Sequence, residues 1–282
     1  MWRTRLVKTR RGCFEVFSAG EGPPLGVSHL YSEFNASGDL FAAAFRELRT
    51  VYLVNLRGAG GSDSAKAASE LSMDAAAEDL EAIREALGFG SWDFAGHSTG
   101  GMLGLLYAVT RGEGIRSLVA AGAAASHRYA DAAHCIYSPQ HPDFQRMQDL
   151  IEALKVPELT QAERNRLSKE RTKLSLLRPE RYAEYFPAEV RKRISVPRLD
   201  YYGREDFPRF DLLDQLRRCP VPTLVGCGRH DVQCPVECSE EIAAAMPHAR
   251  LVIFEGSSHY PFLEEPRAFR AAAQEFLRHR SS

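Results

Sequence analysis

The chain has 282 residues, with 36 Lys and Arg against 37 Asp and Glu, and a formal net charge of −1. A chain so close to neutral has no overall field that would draw nucleic acid or an anionic membrane, so we expect neither as a partner. No apolar run is long enough to span a membrane and no secretory leader is visible, while six scattered cysteines show no disulfide framework. These features predict a cytoplasmic protein with reduced thiols.

Short apolar strands alternate with helical patterns along the first half of the chain. Basic residues near the N-terminus are typical of a solvated edge strand. The patterns then predict strands at 13–18, 25–29, 51–55, 92–95 and 116–121, and helices at 39–48, 74–87 and 99–109. Strands separated by helices imply right-handed crossovers and a mostly parallel sheet, although the first strands, joined by a tight turn, are candidates for an antiparallel arrangement.

The pattern changes at residues 126–215, which are polar, charged and helical apart from a weak strand pattern at 199–202. Alternation resumes with strands at 223–227 and 251–254 and helices at 235–246 and 266–278. We therefore predict an α/β fold: a mostly parallel sheet flanked by helices, built from residues 1–125 and 216–282. Residues 126–215 form a helical insert, which at the carboxyl edge of such a sheet favours a cap or lid over a substrate, with a partner-binding surface as the alternative.

A candidate nucleophile lies in the segment Gly96-His97-Ser98-Thr99-Gly100, which matches the pattern Gly-x-Ser-x-Gly. A predicted strand enters this segment and a predicted apolar helix leaves it. A serine on so sharp a turn has a strained backbone and needs small neighbours, and its hydroxyl is lifted above the sheet beside a helix N-terminus. An idle serine in a tight strand-to-helix turn is the alternative.

A serine hydroxyl needs a base to activate it and an acid to orient that base. Asp231 and His259 each follow a predicted strand by one short turn. Because parallel strands end at a shared edge, both side chains are predicted to lie beside Ser98. The chain order Ser98, Asp231, His259 is the one expected of this chemistry on an α/β-hydrolase sheet. We predict these residues as the catalytic triad; His230 is an alternative base, but it would leave His259 without a role.

The chain resembles the α/β-hydrolase superfamily over nearly its whole length, and within it the proline iminopeptidase-like group. The resemblance rests on the serine motif, on residues 55–62 (Asn-Leu-Arg-Gly-Ala-Gly-Gly-Ser), on Gly228-Arg229-His230-Asp231 and on Ser258-His259-Tyr260-Pro261. It implies an oxyanion hole formed by the backbone N–H groups of Tyr31 and Thr99. Iminopeptidases carry His-Gly-Gly-Pro-Gly where this chain has His29-Leu30-Tyr31, so this loop is expected to bend differently, held by hydrogen bonds from His29.

The insert supplies the candidates for substrate recognition. An aminopeptidase needs a carboxylate to hold the ammonium group of its substrate, and aromatic side chains commonly line such pockets. From the insert we select Glu184, Tyr185 and Tyr201, with solvated ion pairs and packing against the core as the alternatives. The histidines and cysteines lack metal-ligand spacing, so we predict neither a metal nor a cofactor.

The predicted function is hydrolysis of a small ester or amide, including a short peptide, through an acyl-enzyme, with proline iminopeptidase-like activity as one candidate. Two alternatives are open at this point. One is a small-molecule receptor that keeps the triad but turns over slowly; the other is acyl transfer or carbon–carbon bond hydrolysis on the same fold. The pattern of residues does not indicate an oligomeric state.

Overall fold

The computed structural model describes residues 2–156, 158–190 and 193–278. The outer ends of the predicted core, residues 1 and 279–282, lie outside the described residues, as do positions 157, 191 and 192 of the predicted cap. The strands are β1 (Arg3–Thr9), β2 (Gly12–Ala19), β3 (Pro24–Ser28), β4 (Ser32–Glu33), β5 (Thr50–Val54), β6 (Trp92–His97), β7 (Ile115–Ala121), β8 (Arg193–Ile194), β9 (Thr223–Gly228) and β10 (Ala249–Phe254).

Eight of these strands form one sheet in the order β1-β2-β5-β3-β6-β7-β9-β10. Strands β5, β3, β6, β7, β9 and β10 run parallel, as predicted, and β2 and β1 extend the sheet antiparallel. The basic strand β1 is the exposed edge, whereas every residue of β6 and β9 is buried. Continuous burial is typical of parallel strands that are covered on both faces.

Helices cover both faces of the sheet. They are α1 (Leu40–Ala43), α2 (Met73–Ala86), α3 (Thr99–Arg111), α4 (Phe144–Leu154), α5 (Gln161–Lys173), α6 (Tyr182–Tyr185), α7 (Val196–Tyr201), α8 (Leu213–Leu216), α9 (Val236–Ala245), α10 (Pro261–Glu264) and α11 (Pro266–Arg278). On one face, α2, α3, α8 and α9 contribute residues such as Leu80, Leu103 and Ile242 to one apolar cluster. On the other face, α1, α10 and α11 contribute Phe41, Phe262, Phe269 and their neighbours to a second cluster.

Two predicted elements differ from the structure. The helix predicted at 39–48 ends after one turn, α1, and the chain continues to Arg49 through tight turns such as Phe45 N–H to Ala42 O, 3.1 Å. The weak strand predicted at 199–202 is wrong, because the segment is the helix α7 and the helical turn that follows it. Pro197 in the first turn of α7 favours a helix start, and a four-residue alternation was too short to outweigh it.

The predicted cap lies between β7, which ends at Ala121, and β9, which begins at Thr223. It contains α4 to α7 together with β8, a short strand that the sequence patterns did not predict, and α8 lies at its boundary with the core. Strand β8 pairs antiparallel with β4, which belongs to the loop after β3, and so ties the insert to the core. None of the helices in the described part of the chain is long and apolar enough to cross a membrane.

Candidate active site

Ser98 occupies a strained turn between β6 and α3. Among the described residues it is the only residue other than glycine with a positive φ, 56°. The Ser98 N–H donates to Ala121 O at the end of β7, 2.9 Å. A Cβ on Gly96 would lie 2.0 Å from Gly100 O, and one on Gly100 would lie 2.5 Å from Ser28 O, so both motif glycines are required by close approach. The two glycines therefore permit the strained turn that carries Ser98.

The turn also places Ser98 at the N-terminus of α3. The first N–H groups of a helix have no acceptor within that helix, and the aligned peptide dipoles make this end partially positive. Thr99 is the first residue of α3 and directly follows Ser98. Its N–H is therefore available to a negatively charged oxygen that forms at the serine hydroxyl.

Asp231 and His259 form a buried pair at the carboxyl ends of β9 and β10. His259 Nδ1 lies 2.9 and 3.0 Å from the two carboxylate oxygens of Asp231, and both side chains are almost fully buried. Asp231 Oδ1 also accepts the N–H groups of Gln233, 2.8 Å, and Cys234, 3.0 Å, which fixes the carboxylate within its own turn. A carboxylate that accepts from Nδ1 leaves His259 Nε2 as the basic nitrogen.

Contacts between neighbouring loops bring Ser98 and this pair together. His97 Nε2 donates to His259 O, 2.7 Å, and the two imidazole rings are 4.6 Å apart. Gly122 follows Ala121, the acceptor of Ser98 N–H, and a Cβ on Gly122 would lie 3.2 Å from Asp231 Oδ2 and 3.3 Å from His259 Nδ1. The three predicted triad residues therefore converge at one edge of the sheet.

The loop that follows β3 faces this edge and carries the predicted oxyanion donor, the N–H of Tyr31. His29 holds the loop by hydrogen bonds, as predicted: its Nδ1 is 2.9 Å from Ser32 Oγ and its Nε2 is 3.2 Å from Thr99 Oγ1. The Tyr31 N–H lies 3.5 Å from His29 Nδ1, at the outer limit of a hydrogen bond. A contact this long is weak, so it competes little with an oxyanion for the Tyr31 N–H.

The cap supports this loop from outside. Arg198, 1% exposed, donates through Nε to Leu30 O and through Nη1 to Arg57 O, 2.9 Å. Ser195 N–H donates to Tyr31 O, 2.8 Å. Leu30 C=O and Tyr31 N–H belong to the same peptide unit, so the guanidinium that binds the carbonyl fixes the plane of the peptide whose N–H is the predicted oxyanion donor. Burial lowers the pKa of the Arg198 guanidinium to about 10, where it still carries its charge at neutral pH.

A second link between cap and core reaches His259, the predicted catalytic base. Ser175, just past α5, accepts the backbone N–H of His259 at its carbonyl, 3.2 Å. Its hydroxyl accepts Gln233 Nε2, 2.9 Å, and Gln233 Oε1 accepts the hydroxyl of Tyr137, 2.7 Å. Sequence reasoning missed Arg198 and Ser175, because nothing local marks a residue that acts on a distant backbone. Gln233 was also missed, and only its position two residues after Asp231 could have indicated a role.

The three cap residues predicted to bind substrate contact groups other than the triad. Glu184 is 61% exposed and pairs with Arg181, whose Nε lies 2.7 Å from its carboxylate. Tyr185 is buried with the Arg181 guanidinium over its ring, and Tyr201 is half-buried on α7. None of the hydrogen bonds, ion pairs or ring contacts of the described residues joins these three to the triad, so their role in substrate binding stays a prediction.

A cavity of about 100 Å³ adjoins the site on the side of the β3 loop. His29, His97 and Tyr260 form the wall nearest the triad, and the remaining wall is largely aromatic, with Phe34, Phe41, Phe186 and Phe262. The carboxylates of Glu33 and Asp39 complete this mainly apolar lining, so the cavity suits a small apolar group and does not exclude a cationic one. No group of His, Cys, Asp or Glu side chains within the described residues is arranged to hold a metal ion.

Comparison with known proteins agrees with this fold. A family model described as alpha/beta hydrolase fold matches residues 26–266, most of the chain. The chain belongs to the α/β-hydrolase fold family. A solved structure of an alpha/beta fold family hydrolase from Bacillus anthracis str. Sterne is 43% identical, covers 98% of this chain and 99% of its own, and superposes with a TM-score of 0.95.

Two curated relatives of this α/β-hydrolase are proline iminopeptidases. The one from Heyndrickxia coagulans is 25% identical over 280 residues, which span 92% of this chain and 91% of its own. The one from Saccharolobus solfataricus is 28% identical over 229 residues, 78% of this chain and 73% of its own. The predicted resemblance to the proline iminopeptidase-like group is thereby confirmed.

Proposed function

We propose that this protein is a serine hydrolase that cleaves a small ester or amide through an acyl-enzyme on Ser98. The observation that carries the proposal is the buried Asp231–His259 pair, 2.9 Å apart, beside a serine held at φ 56° on a helix N-terminus. A strained backbone persists where its surroundings enforce it, and such positions cluster at active sites. Membership of the α/β-hydrolase family supports the same chemistry.

The reaction begins when His259 Nε2 takes the proton of Ser98 Oγ as the oxygen attacks the substrate carbonyl. Asp231 keeps the other ring nitrogen protonated and stabilises the imidazolium that forms. The same imidazolium then gives its proton to the departing alcohol or amine, and the acyl group is left on Ser98. Water, deprotonated by His259, attacks the acyl-enzyme and releases the acid, which restores the serine hydroxyl.

The tetrahedral oxyanion of both steps is placed between the N–H of Thr99 and the N–H of Tyr31. Removal of one oxyanion donor typically costs about 10²–10³ in kcat, so the orientation of the Leu30–Tyr31 peptide matters for the rate. In this proposal the Arg198 contact to Leu30 O positions that peptide and polarises its N–H. The cap thus takes the part that glycines play in the corresponding loop of the iminopeptidases.

The test is labelling with a fluorophosphonate followed by mass spectrometry of the modified peptide. We expect a single adduct on Ser98, absent in Ser98→Ala and in denatured protein. Ser72→Ala is the matched control: it removes the N-cap of α2 and about 1 kcal/mol of stability, so it should lower the melting temperature without changing labelling. An adduct on another residue, or none, would remove Ser98 from the mechanism.

A substrate panel then separates the finer alternatives. Proline 4-nitroanilide tests the activity named for the two curated relatives, and 4-nitrophenyl esters of short acids test esterase activity. Glu184 is exposed and paired with Arg181, and an activated ester is intrinsically easier to cleave than an anilide, so we expect the esters to be cleaved faster than the proline anilide. Faster cleavage of the anilide would return the assignment to the peptidase.

A further inference from the structure

The cavity on the side of the β3 loop lies against the parts of the proposed catalytic machinery. His97, which lines it, is the neighbour of Ser98, and Tyr260, which also lines it, is the neighbour of His259. A third lining residue, His29, holds the loop with the predicted oxyanion donor. A substrate whose carbonyl lies at Ser98 can therefore place a neighbouring group in this cavity.

The aromatic rings of the cavity wall are set at steep angles to one another. Phe41 and Phe262 meet edge to face, with centroids 5.2 Å apart and planes at 75°. Phe186 of the cap and Tyr260 meet at 5.3 Å and 89°. His97 joins the two pairs, because its ring lies 4.9 Å from Phe262 and 5.4 Å from Tyr260. The face of an aromatic ring is its negative side, and rings set at such angles present their faces in more than one direction.

Two acidic residues and no Lys or Arg belong to the described lining of this cavity. Glu33 is half-buried, and none of the ion pairs or side-chain hydrogen bonds of the described residues uses its carboxylate. Arg193, opposite Glu33 in the β4–β8 pair, is exposed and forms none of those ion pairs with it. Asp39 accepts Ala42 N–H through Oδ1, 2.9 Å, as the N-cap of α1. A partly buried carboxylate without a counter-ion is stabilised by a cation that enters beside it.

The cavity has room for a compact group rather than a long chain. Its volume of about 100 Å³ is a few times the share of one water molecule in the liquid, about 30 Å³. A methylated ammonium group is compact, has an apolar surface and carries a positive charge, so it matches both the rings and the carboxylates of the wall.

We propose that this cavity binds a methylated ammonium group of the substrate, so that the preferred substrates are small esters or amides of quaternary ammonium alcohols, amines or acids. This inference rests on the proposed hydrolase function and names its substrate class. Aromatic faces attract such cations, and the attraction is larger where water is excluded. A quaternary ammonium has no N–H to donate, which sets this site apart from one built for the free N-terminus of a peptide.

The binding test compares choline with 3,3-dimethylbutan-1-ol, which has the same shape without the charge. Each compound is titrated against fluorophosphonate labelling, and protection of Ser98 gives its affinity. We expect choline to bind at least about fivefold more tightly. Glu33→Gln should weaken choline by about three- to tenfold and the neutral alcohol by less than about twofold. Glu21→Gln, which removes an exposed carboxylate outside the cavity, is the matched control and should change neither.

Two further measurements test the rings and the substrate class. Phe186→Leu keeps an apolar wall but removes one aromatic face, so it should weaken choline about fivefold and the neutral alcohol by less than about twofold. Acetylthiocholine carries the ammonium on its leaving group and betaine 4-nitrophenyl ester on its acyl group, and each has a neutral tert-butyl counterpart. In at least one of these pairs, Glu33→Gln should lower kcat/KM for the charged ester about three- to tenfold more than for its counterpart.

Equal affinity for choline and the neutral alcohol, or equal losses for both in Glu33→Gln, would mean that the cavity recognises shape alone and would overturn the inference. Binding without turnover separates it from the proposed function. In Ser98→Ala, choline should raise the melting temperature, and Glu33→Gln in that background should reduce the rise. Labelling of Ser98 without a choline effect defeats the ammonium site alone. A choline effect through Glu33 without labelling of Ser98 supports the site and defeats the serine mechanism.

Discussion

Gly122 offers a direct probe of the proposed triad because an added methyl group would meet the Asp231–His259 pair. It follows β7 with φ +53°, a conformation that favours glycine. A Cβ built there would lie 3.2 Å from Asp231 Oδ2 and 3.3 Å from Nδ1 and Cε1 of His259. Gly88, after α2, has φ +80° and meets no atom within 4 Å. The two glycines share the backbone strain and differ only in their neighbours.

The magnitudes follow from these distances. Alanine in a left-handed conformation costs about 1–2 kcal/mol at either position, because Cβ crowds its own carbonyl oxygen. At Gly122 the contacts are also a few tenths of an ångström too short, so the carboxylate or the imidazole must move by that amount. A displacement of 1 Å in an active site can cost about 10²-fold in rate, so a few tenths should cost about tenfold.

The assay measures urea unfolding and the rate of fluorophosphonate labelling for Gly122→Ala and Gly88→Ala side by side. Both variants should lose about 1–2 kcal/mol of unfolding free energy. Only Gly122→Ala should lose about tenfold in labelling rate. Equal labelling of both variants would mean that Asp231 and His259 do not set the reactivity of Ser98. An equal loss in Gly88→Ala would mean that stability, not the position of the pair, controls the rate.

Two further predictions test the cap. Arg198→Met removes two charge-assisted bonds, to Leu30 O and Arg57 O, but it also removes a buried charge. We expect a net loss of about 2 kcal/mol in urea unfolding and of about tenfold in kcat, with little change in KM. An unchanged kcat would mean that the orientation of the Leu30–Tyr31 peptide does not affect catalysis. Burial raises the pKa of Asp206 from 3.8 to about 6. Ionisation is therefore easier in the unfolded chain, and the contribution of Asp206 to stability falls as pH rises through this window. Unfolding at pH 4 and 7 should show a smaller fall in Asp206→Asn than in wild type; identical profiles would contradict the assignment.

Local patterns were enough to predict the sheet and the positions of the triad residues along the chain. Trp92, Phe94 and Ala95 of β6 are apolar because both faces of the strand are covered, and the sharp turn after it needs glycine at positions 96 and 100. These requirements act within a few residues, so they are visible in the sequence. Chain order and the common edge of parallel strands then predicted that Asp231 and His259 would meet. The structure brings them together at 2.9 Å.

Contacts between cap and core were not predictable, because they join residues far apart to backbone atoms that have no sequence signature. Arg198 binds the carbonyl of Leu30, 168 positions away. Ser195 binds the carbonyl of Gly58, and Ser175 binds the N–H of His259. Any residue presents the same carbonyl or N–H, so no pattern at the core position marks the partner. Sequence reasoning therefore looked for cap side chains that resemble substrate ligands, such as Glu184, and passed over those that hold the core.

The same contacts explain how a loop with leucine in place of glycine could form the oxyanion hole that we propose. A glycine loop presents its N–H groups because its own backbone can adopt the required turn. Here the peptide between Leu30 and Tyr31 is held at its carbonyl by Arg198, and the next carbonyl is held by Ser195, both on the cap. Any motion that lifts α7 from the core must break these bonds and release the peptide. Under the proposed mechanism, opening of the cap at α7 would therefore disassemble the oxyanion hole, which a self-supporting glycine loop would not require.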